Sequence, residues 1–167
     1  KDQRVMPHLH LSIQSGDDMI LKRMKRRHNS KDVFEFVEHC KKIREDVSFG
    51  ADIIAGFPTE TDEMFDNTYR LLKENEISHL HIFPFSPKNN TPASRMPQVS
   101  KLIIKKRAKN LRELGELILK KVKSKLSLPR EVLIEELNLG LAVGYDQNYI
   151  KHKVPLVGVP VGEIVRV

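Results

Sequence analysis

Three strand-like segments alternate with helical segments along the first half of the chain, and this order limits the possible folds more than any other feature. The strands are predicted at His8–Gln14, Ser48–Gly56 and Ser78–Pro87. The segments between them carry apolar residues three or four apart, which is typical of amphipathic helices. Strands joined by helical crossovers pair in parallel, so the sequence predicts an α/β barrel or an open parallel sheet.

The first strand, "HLHLSIQ", has two unlike faces. Its side chains alternate along the strand: Leu9, Leu11 and Ile13 on one side, and His10, Ser12 and Gln14 on the other. Successive side chains of a strand point to opposite faces of the sheet. We therefore expect the apolar side to pack against helices and the polar side to face the interior of a barrel.

The helices between and after the strands are predicted from capping residues and apolar stripes. Asp17 or Asp18 caps a short basic helix, Asn29 or Ser30 a second, and Thr59 or Thr61 a third that runs to about Asn75. The second helix carries one predicted buried stripe: Val33, Phe36, Val37, Cys40 and Ile43. A long helix is expected from about Lys101 to Lys125, and short strand-like runs follow from Pro129 onward.

The charge is basic, with 29 Lys and Arg against 22 Asp and Glu and a net charge of +7. The excess is concentrated in runs such as "KRMKRR" at Lys22–Arg27, which is either a solvated surface or a surface that contacts phosphates. Cys40 is the single cysteine, so there is no disulfide framework and we expect a cytoplasmic protein. No apolar run is long enough to cross a membrane, so no membrane partner is expected.

Three motifs in order carry a family resemblance: "HLHLSIQSGDDMILKRMKRRH", "GADIIAGFPTETDEMF" and "HIFPFSPKNNTPASRM". Together they strongly resemble the radical S-adenosylmethionine methylthiotransferases. Within these, they are most similar to the branch that methylthiolates N6-threonylcarbamoyladenosine beside the tRNA anticodon. The match covers about Arg4 to Met96, and the tail from Arg130 resembles a degenerate copy of the RNA-binding TRAM module that ends these enzymes.

The resemblance implies the second half of a six-stranded partial barrel. We expect residues 1–99 to hold three parallel strands with helices, residues 100–127 to form a connecting helix, and residues 128–167 to form a TRAM-like β module. The family binds S-adenosylmethionine on one four-iron four-sulfur cluster and uses a second cluster for sulfur transfer. This chain has none of the six cysteines that hold them, so we expect it to work only with a missing N-terminal half, in cis or in trans.

Site residues are implied by position in the family motifs, and none is catalytic. The implied cofactor-binding residues are Ser12, Gln14, Asp52, Gly56, Pro58 and Phe85. Family members usually read "GFPGE" where this chain has Thr59 in place of the second glycine. His8, His10, His79 and His81 alternate along strands, but no carboxylate or cysteine at visible spacing completes a tetrahedral set, so no metal site is expected.

An RNA partner, the anticodon region of tRNA, is implied together with basic contact residues. The candidates are Arg26, Arg27, Arg130, Lys151, Lys153 and Arg166, and Tyr145 or Tyr149 is positioned to stack on a base. Three hypotheses stay open from sequence alone. The chain is half of a methylthiotransferase, a non-catalytic remnant with RNA affinity, or an independent binding protein that has borrowed a barrel segment.

Overall fold

The computed structural model of the protein describes residues 2, 4–126, 129–155 and 158–167. Three strands, β1 (His8–Gln14), β2 (Ser48–Ala55) and β3 (His79–Pro84), form a parallel sheet in the order β1-β2-β3. The predicted α/β class and the parallel pairing are confirmed. The strand bounds agree with the predictions to within one residue, except that β3 ends three residues before the predicted Pro87.

Helices connect the strands and cover one face of the sheet. The helices α1 (Asp18–Arg23) and α2 (Ser30–Ile43) lie between β1 and β2, and α3 (Asp62–Glu74) lies between β2 and β3. Their N-caps are Asp17, Asn29 and Thr61, each accepting a hydrogen bond from a backbone N–H of the first turn. A short 3₁₀ helix (Pro92–Arg95) precedes α4 (Lys101–Lys125).

The main core lies between the sheet and these helices. On β2, the core side chains are Phe49, Ala51, Ile53 and Ala55. The helix α4 contributes Ala108, Leu111, Leu114 and Ile118 to the same core, so it packs against the parallel sheet. The predicted stripe of α2 is only partly correct, because Phe36 and Ile43 are 47% and 46% exposed while Val33 and Val37 are buried.

The other face of the sheet carries no helix among the described residues. Leu9 and Leu11 pack against the core and Ile13 is buried within it, as predicted. His10 and Ser12 are exposed on the opposite face. We call this the open face, and it is the face that would line a barrel interior.

A second, antiparallel sheet follows α4. Its strands are β4 (Glu131–Asn138), β5 (Leu141–Asp146), β6 (Lys151–Val154) and β7 (Ile164–Arg166), in the order β6-β5-β4-β7. Its core is small and consists of Val132, Ile134 and Ala142, with three partly buried valines around it. The predicted boundary between residues 127 and 128 lies outside the described residues.

The helices in the described part of the chain are too short or too polar to cross a membrane. Not one of them combines enough residues with enough apolar character to cross a bilayer. The longest, α4, carries lysines and arginines along its whole length.

Candidate functional site

A cavity of about 520 Å³ opens near the carboxyl ends of the parallel strands. Apolar and polar side chains share its wall, among them Ile54, Phe83 and Phe85, and Gln14, Asp52 and Ser86. Its volume lies within the range of small-molecule sites, and ligands of parallel α/β sheets bind at this end of the strands. The geometry therefore makes it the candidate ligand site.

Three of the six predicted cofactor-binding residues meet at this cavity: Gln14, Asp52 and Phe85. Gln14 ends β1 with a positive φ of 69°, in the left-handed region that a non-glycine residue rarely adopts. The ring of Phe85 meets that of Phe57 edge-on, with centroids 5.3 Å apart, so Phe57 supports the ring of Phe85 in the cavity wall.

The other three predicted residues lie elsewhere. Ser12 is exposed on the open face and does not belong to the cavity wall. Gly56 and Pro58 are buried behind the strand end. Gly56 has a φ of +75°, and a Cβ there would lie 2.4 Å from Cγ1 of Ile104 on α4. Gly56 therefore shapes the turn after β2 and the packing of α4, Pro58 is buried in the same turn, and neither lines the cavity.

A buried ion pair supports the same turn. Oε2 of Glu60 lies 2.7 Å from Nη1 of Arg107 and accepts a 3.0 Å hydrogen bond from the N–H of Gly56. Glu60 and Arg107 are 6% and 5% exposed. Glu60 is thus a structural carboxylate. Sequence reasoning missed Arg107, although its position three residues after Ile104 sets it on the apolar stripe of α4.

Thr59 occupies the position where family members usually have glycine. Its φ is 68°, which is the left-handed region that favours glycine. Thr59 is not the cap of α3, since Thr61 fills that role. Its hydroxyl accepts a 2.6 Å hydrogen bond from Nη1 of Arg23, so α1 holds the loop in this conformation.

A second cavity of about 480 Å³ adjoins the first and shares Gln14, Ile54, Thr91 and Ala93 with it. Its outer wall carries the basic side chains of α1 and the turn after it: Arg23, Lys25 and Arg26. Arg26 and Arg27 are exposed. This places a positive rim next to the candidate ligand site, where a phosphate or a carboxylate would find a favourable potential.

The open face brings together three side chains that were distant in sequence. His10, Asp52 and His81 lie on β1, β2 and β3, with ligand atoms all within 4.8 Å of one another. The expectation that no carboxylate completes the histidine pattern is therefore wrong in its premise. Parallel pairing supplies Asp52, which spacing along one strand does not reveal.

Four of the predicted RNA-binding residues belong to the β module, and the structure separates them. Lys151, Lys153 and Arg166 are exposed. The structure does not support the predicted RNA contact by Arg130. Its side chain is 11% exposed and pairs at 3.0 Å with Asp146, whose side chain is 1% exposed. Burial acts to raise the pKa of Asp146, but hydrogen bonds from Ile150, His152 and Arg130 outweigh it and lower that pKa below its ordinary value. Arg130 therefore stabilises the module from within.

The β module docks on the amino-terminal end of the parallel sheet. Asn148 is fully buried, and its side-chain amide donates hydrogen bonds to the carbonyls of Pro7 and Asp46. The ring of Tyr149 stacks on His8 at 5.4 Å and on Tyr145 at 4.8 Å between centroids. Tyr149 therefore takes part in docking through these two rings, and the residue as a whole stays 53% exposed.

Comparison with known proteins places the first part of the chain in a described superfamily. Residues 1–72 match the family model described as the Radical SAM superfamily. A threonylcarbamoyladenosine tRNA methylthiotransferase of Rickettsia prowazekii is 52% identical over 156 residues, which cover 90% of this chain and 35% of that relative. One of Thermotoga maritima is 41% identical over 172 residues, which cover 98% of this chain and 38% of that relative.

A further relative has a different named product. A tRNA-2-methylthio-N(6)-dimethylallyladenosine synthase of Ehrlichia canis is 39% identical over 114 residues, which cover 68% of this chain and 26% of that relative. The chain thus spans about a quarter to two fifths of the length of these curated relatives. Its sequence motifs, its parallel sheet and these matches lead to one conclusion: the chain belongs to the radical SAM superfamily.

Proposed function

We propose that this chain is part of a tRNA-modifying radical SAM methylthiotransferase that acts on N6-threonylcarbamoyladenosine beside the anticodon. The observation that carries the proposal is the 52% identity over 90% of the chain to a relative whose name states that transferase. Similarity to the relative named for dimethylallyladenosine is lower and covers a smaller share of this chain, 68%. The threonylcarbamoyl substrate is therefore the better supported of the two.

The cavity wall fits the adenosyl part of S-adenosylmethionine. Ile54, Phe83 and Phe85 offer apolar and aromatic surface for the base, while Gln14 and Asp52 offer an amide and a carboxylate for hydroxyl and amino groups. When bound, the cofactor supplies the methyl group and, with a reduced cluster, the radical chemistry of the superfamily. The role of this chain is to position the cofactor and to exclude water from it.

The residues of this chain do not fit an iron–sulfur cluster. Cluster iron is held by several cysteine thiolates, and the sequence contains one cysteine. Cys40 is partly buried against the core from α2, and burial raises the pKa of its thiol. We propose that both four-iron clusters of the complete enzyme are held by another part of it, so that this chain by itself is inactive.

Transfer RNA is the proposed macromolecular partner, bound by exposed basic side chains. Arg26 lines the second cavity and Arg27 is the exposed residue after it, whereas Lys151, Lys153 and Arg166 lie on the β module. Contacts of this kind neutralise phosphates, so affinity for the anticodon stem-loop falls as salt rises. On duplex DNA, each neutralised phosphate contributes roughly 0.9 to the slope of log affinity against log salt concentration, and we apply that value to the RNA stem. Replacing both Arg26 and Arg27 with alanine is therefore expected to make this slope shallower by the equivalent of one to two phosphate contacts.

The proposal is tested by mass spectrometry of tRNA nucleosides from cells with and without the gene. Loss of the 2-methylthio group from threonylcarbamoyladenosine is expected, with restoration by the parent gene and weaker restoration by Gln14→Ala or Phe85→Ala. Phe36→Ala, an exposed site on α2, is the matched control. Loss of the 2-methylthio group from dimethylallyladenosine instead would show that this nucleoside, and not threonylcarbamoyladenosine, is the substrate. No change in either nucleoside would favour the alternative, a non-catalytic remnant with RNA affinity.

A further inference from the structure

Three side chains with metal-ligating atoms converge on the open face of the parallel sheet. Oδ1 of Asp52 lies 3.0 Å from Nε2 of His10 and 3.3 Å from Nδ1 of His81. The two imidazole rings have centroids 4.9 Å apart. The three residues come from three different strands, so the sheet itself holds their spacing and no flexible loop is involved.

The strand register explains why the three groups meet. Asp52 pairs directly with His81 across β2 and β3, whereas the pairing partner of His10 on β2 is Gly50. A Cβ at Gly50 would lie 2.8 Å from Nδ1 of His10. The missing side chain at Gly50 therefore leaves the space that the ring of His10 needs to reach Asp52.

The charge environment also suits a cation. Within the part of the chain that the structure describes, Asp52 forms ion pairs with these two histidines and with no lysine or arginine. Its side chain is 29% exposed, so the carboxylate is accessible from the open face. A carboxylate that has no lysine or arginine partner among the described residues and lies between two imidazoles can accept a divalent metal ion.

Two of the three ligand-atom distances agree with a tetrahedral site. Ligand atoms at about 2.0–2.1 Å from a zinc ion lie roughly 3.3 Å from one another, close to the 3.0 and 3.3 Å from Asp52 to the two histidines, and all three ligand atoms lie within 4.8 Å of one another. We propose that His10, Asp52 and His81 form a binding site for a divalent transition-metal ion, with zinc as the probe. Asp52 also lines the 520 Å³ cavity, so the remaining coordination position faces the space where a ligand binds.

The test measures zinc in the complete gene product by plasma mass spectrometry after dialysis against zinc-containing and then metal-free buffer. Parent protein is compared with His10→Ala, His81→Ala and Asp52→Asn, and with the control His39→Ala, which alters an exposed histidine of α2. We expect each of the three site variants to lose about one zinc per chain relative to both parent and control, with affinity at this site lowered at least about 100-fold. Zinc held by cysteines elsewhere is common to all the proteins and cancels in the comparison.

Two further readouts separate the metal site from a folding effect. Asp52→Asn keeps the size of the side chain and one acceptor oxygen but removes the negative charge, so zinc loss with an unchanged circular dichroism spectrum and melting temperature supports direct ligation. Zinc-edge X-ray absorption of the parent protein should include an imidazole contribution that His81→Ala reduces. Equal zinc content in parent and all three variants would overturn the proposal, and the contact would then be a hydrogen-bonded His–Asp–His group. None of these readouts depends on methylthiotransferase activity.

Discussion

The side-chain amide of Asn148 donates a 3.0 Å hydrogen bond to the carbonyl of Pro7, a residue 141 positions earlier in the chain. The same amide reaches the carbonyl of Asp46, and the backbone carbonyl of Asn148 accepts a 3.0 Å bond from the hydroxyl of Ser48. One buried side chain thus connects the β module to the starts of two parallel strands. The module is attached through specific polar contacts as well as through the chain.

Replacing Asn148 with alanine is expected to loosen this attachment. The change removes both hydrogen bonds and the packing of a fully buried side chain, a loss of about 2 kcal/mol in the free energy of unfolding. Urea denaturation measures it, and limited proteolysis should release the module earlier. Asn138→Ala, at an exposed asparagine of β4, is the control and should change stability by less than about 0.5 kcal/mol. Equal effects of the two changes would contradict the docking role.

Acidification is expected to weaken the same contact through His8. Burial, reinforced by the nearby imidazoles of His79 and His10, lowers the pKa of His8 to about 4, while Asp146 opposes the shift. The folded chain therefore keeps His8 neutral where the unfolded chain binds a proton. Its contribution to stability is complete above about pH 6.5 and is lost as the pH falls towards 4, an effect on the order of 2 kcal/mol.

The difference between parent and His8→Gln isolates that contribution. His79 also has a pKa lowered by burial and acts in the same direction, so the parent slope is not due to His8 alone. We expect urea unfolding between pH 7 and pH 4 to show a shallower loss of stability in His8→Gln than in the parent or in His39→Gln. Parallel pH profiles would show that His8 does not carry the effect.

The left-handed backbone at Thr59 predicts an order of stabilities. Thr59→Ala and Thr59→Gly both remove the hydroxyl that binds Arg23, so they differ mainly in the cost of a φ of 68°. The glycine variant should be more stable by about 1 kcal/mol, since a Cβ is strained in this region. Thermal melting of the two variants checks this, and a more stable alanine variant would mean that the loop relaxes to another conformation.

Because Glu60 and Arg107 form a buried ion pair, replacing Arg107 alone should lower the free energy of unfolding more than replacing both residues. Arg107→Met leaves a carboxylate that is 6% exposed without its cation, which should cost about 3–5 kcal/mol of unfolding free energy. Adding Glu60→Gln removes the unpaired charge and should restore part of the loss. Lys105→Met, at an exposed position of α4, is the control for the introduced methionine. A double variant less stable than Arg107→Met would refute this account.

Local patterns predicted the secondary structure well because they reflect local causes. Period-two alternation gave β1 its correct bounds, and short polar caps gave the start of α2 within one residue. The stripe of α2 was drawn too wide, because periodicity defines a helix face but not how much of it the sheet covers. Phe36 lies at the edge of that stripe and stays exposed.

The long-range parts of the site were beyond sequence reasoning for a physical reason. Asp52 meets His81 through strand register, and Arg130 meets Asp146 through a hairpin, so neither contact has a fixed spacing in the sequence. The family motifs gave Gln14, Asp52 and Phe85 as wall residues, and all three line one cavity. Gly56 belongs to the same motif but contributes to the packing of α4, and a motif does not distinguish such packing from ligand contact.

The docking of the β module at the starts of the parallel strands sets a distance for any bound RNA. The candidate ligand site opens at the opposite ends of those strands, and a strand of seven residues such as β1 is about 23 Å long. An RNA nucleotide that approaches the cofactor at the mouth of the cavity and a phosphate on the module are thus separated by at least the length of several nucleotides. A folded RNA long enough to span the sheet would contact both places, whereas a short single strand that reaches only the mouth of the cavity would lose the contribution of the module.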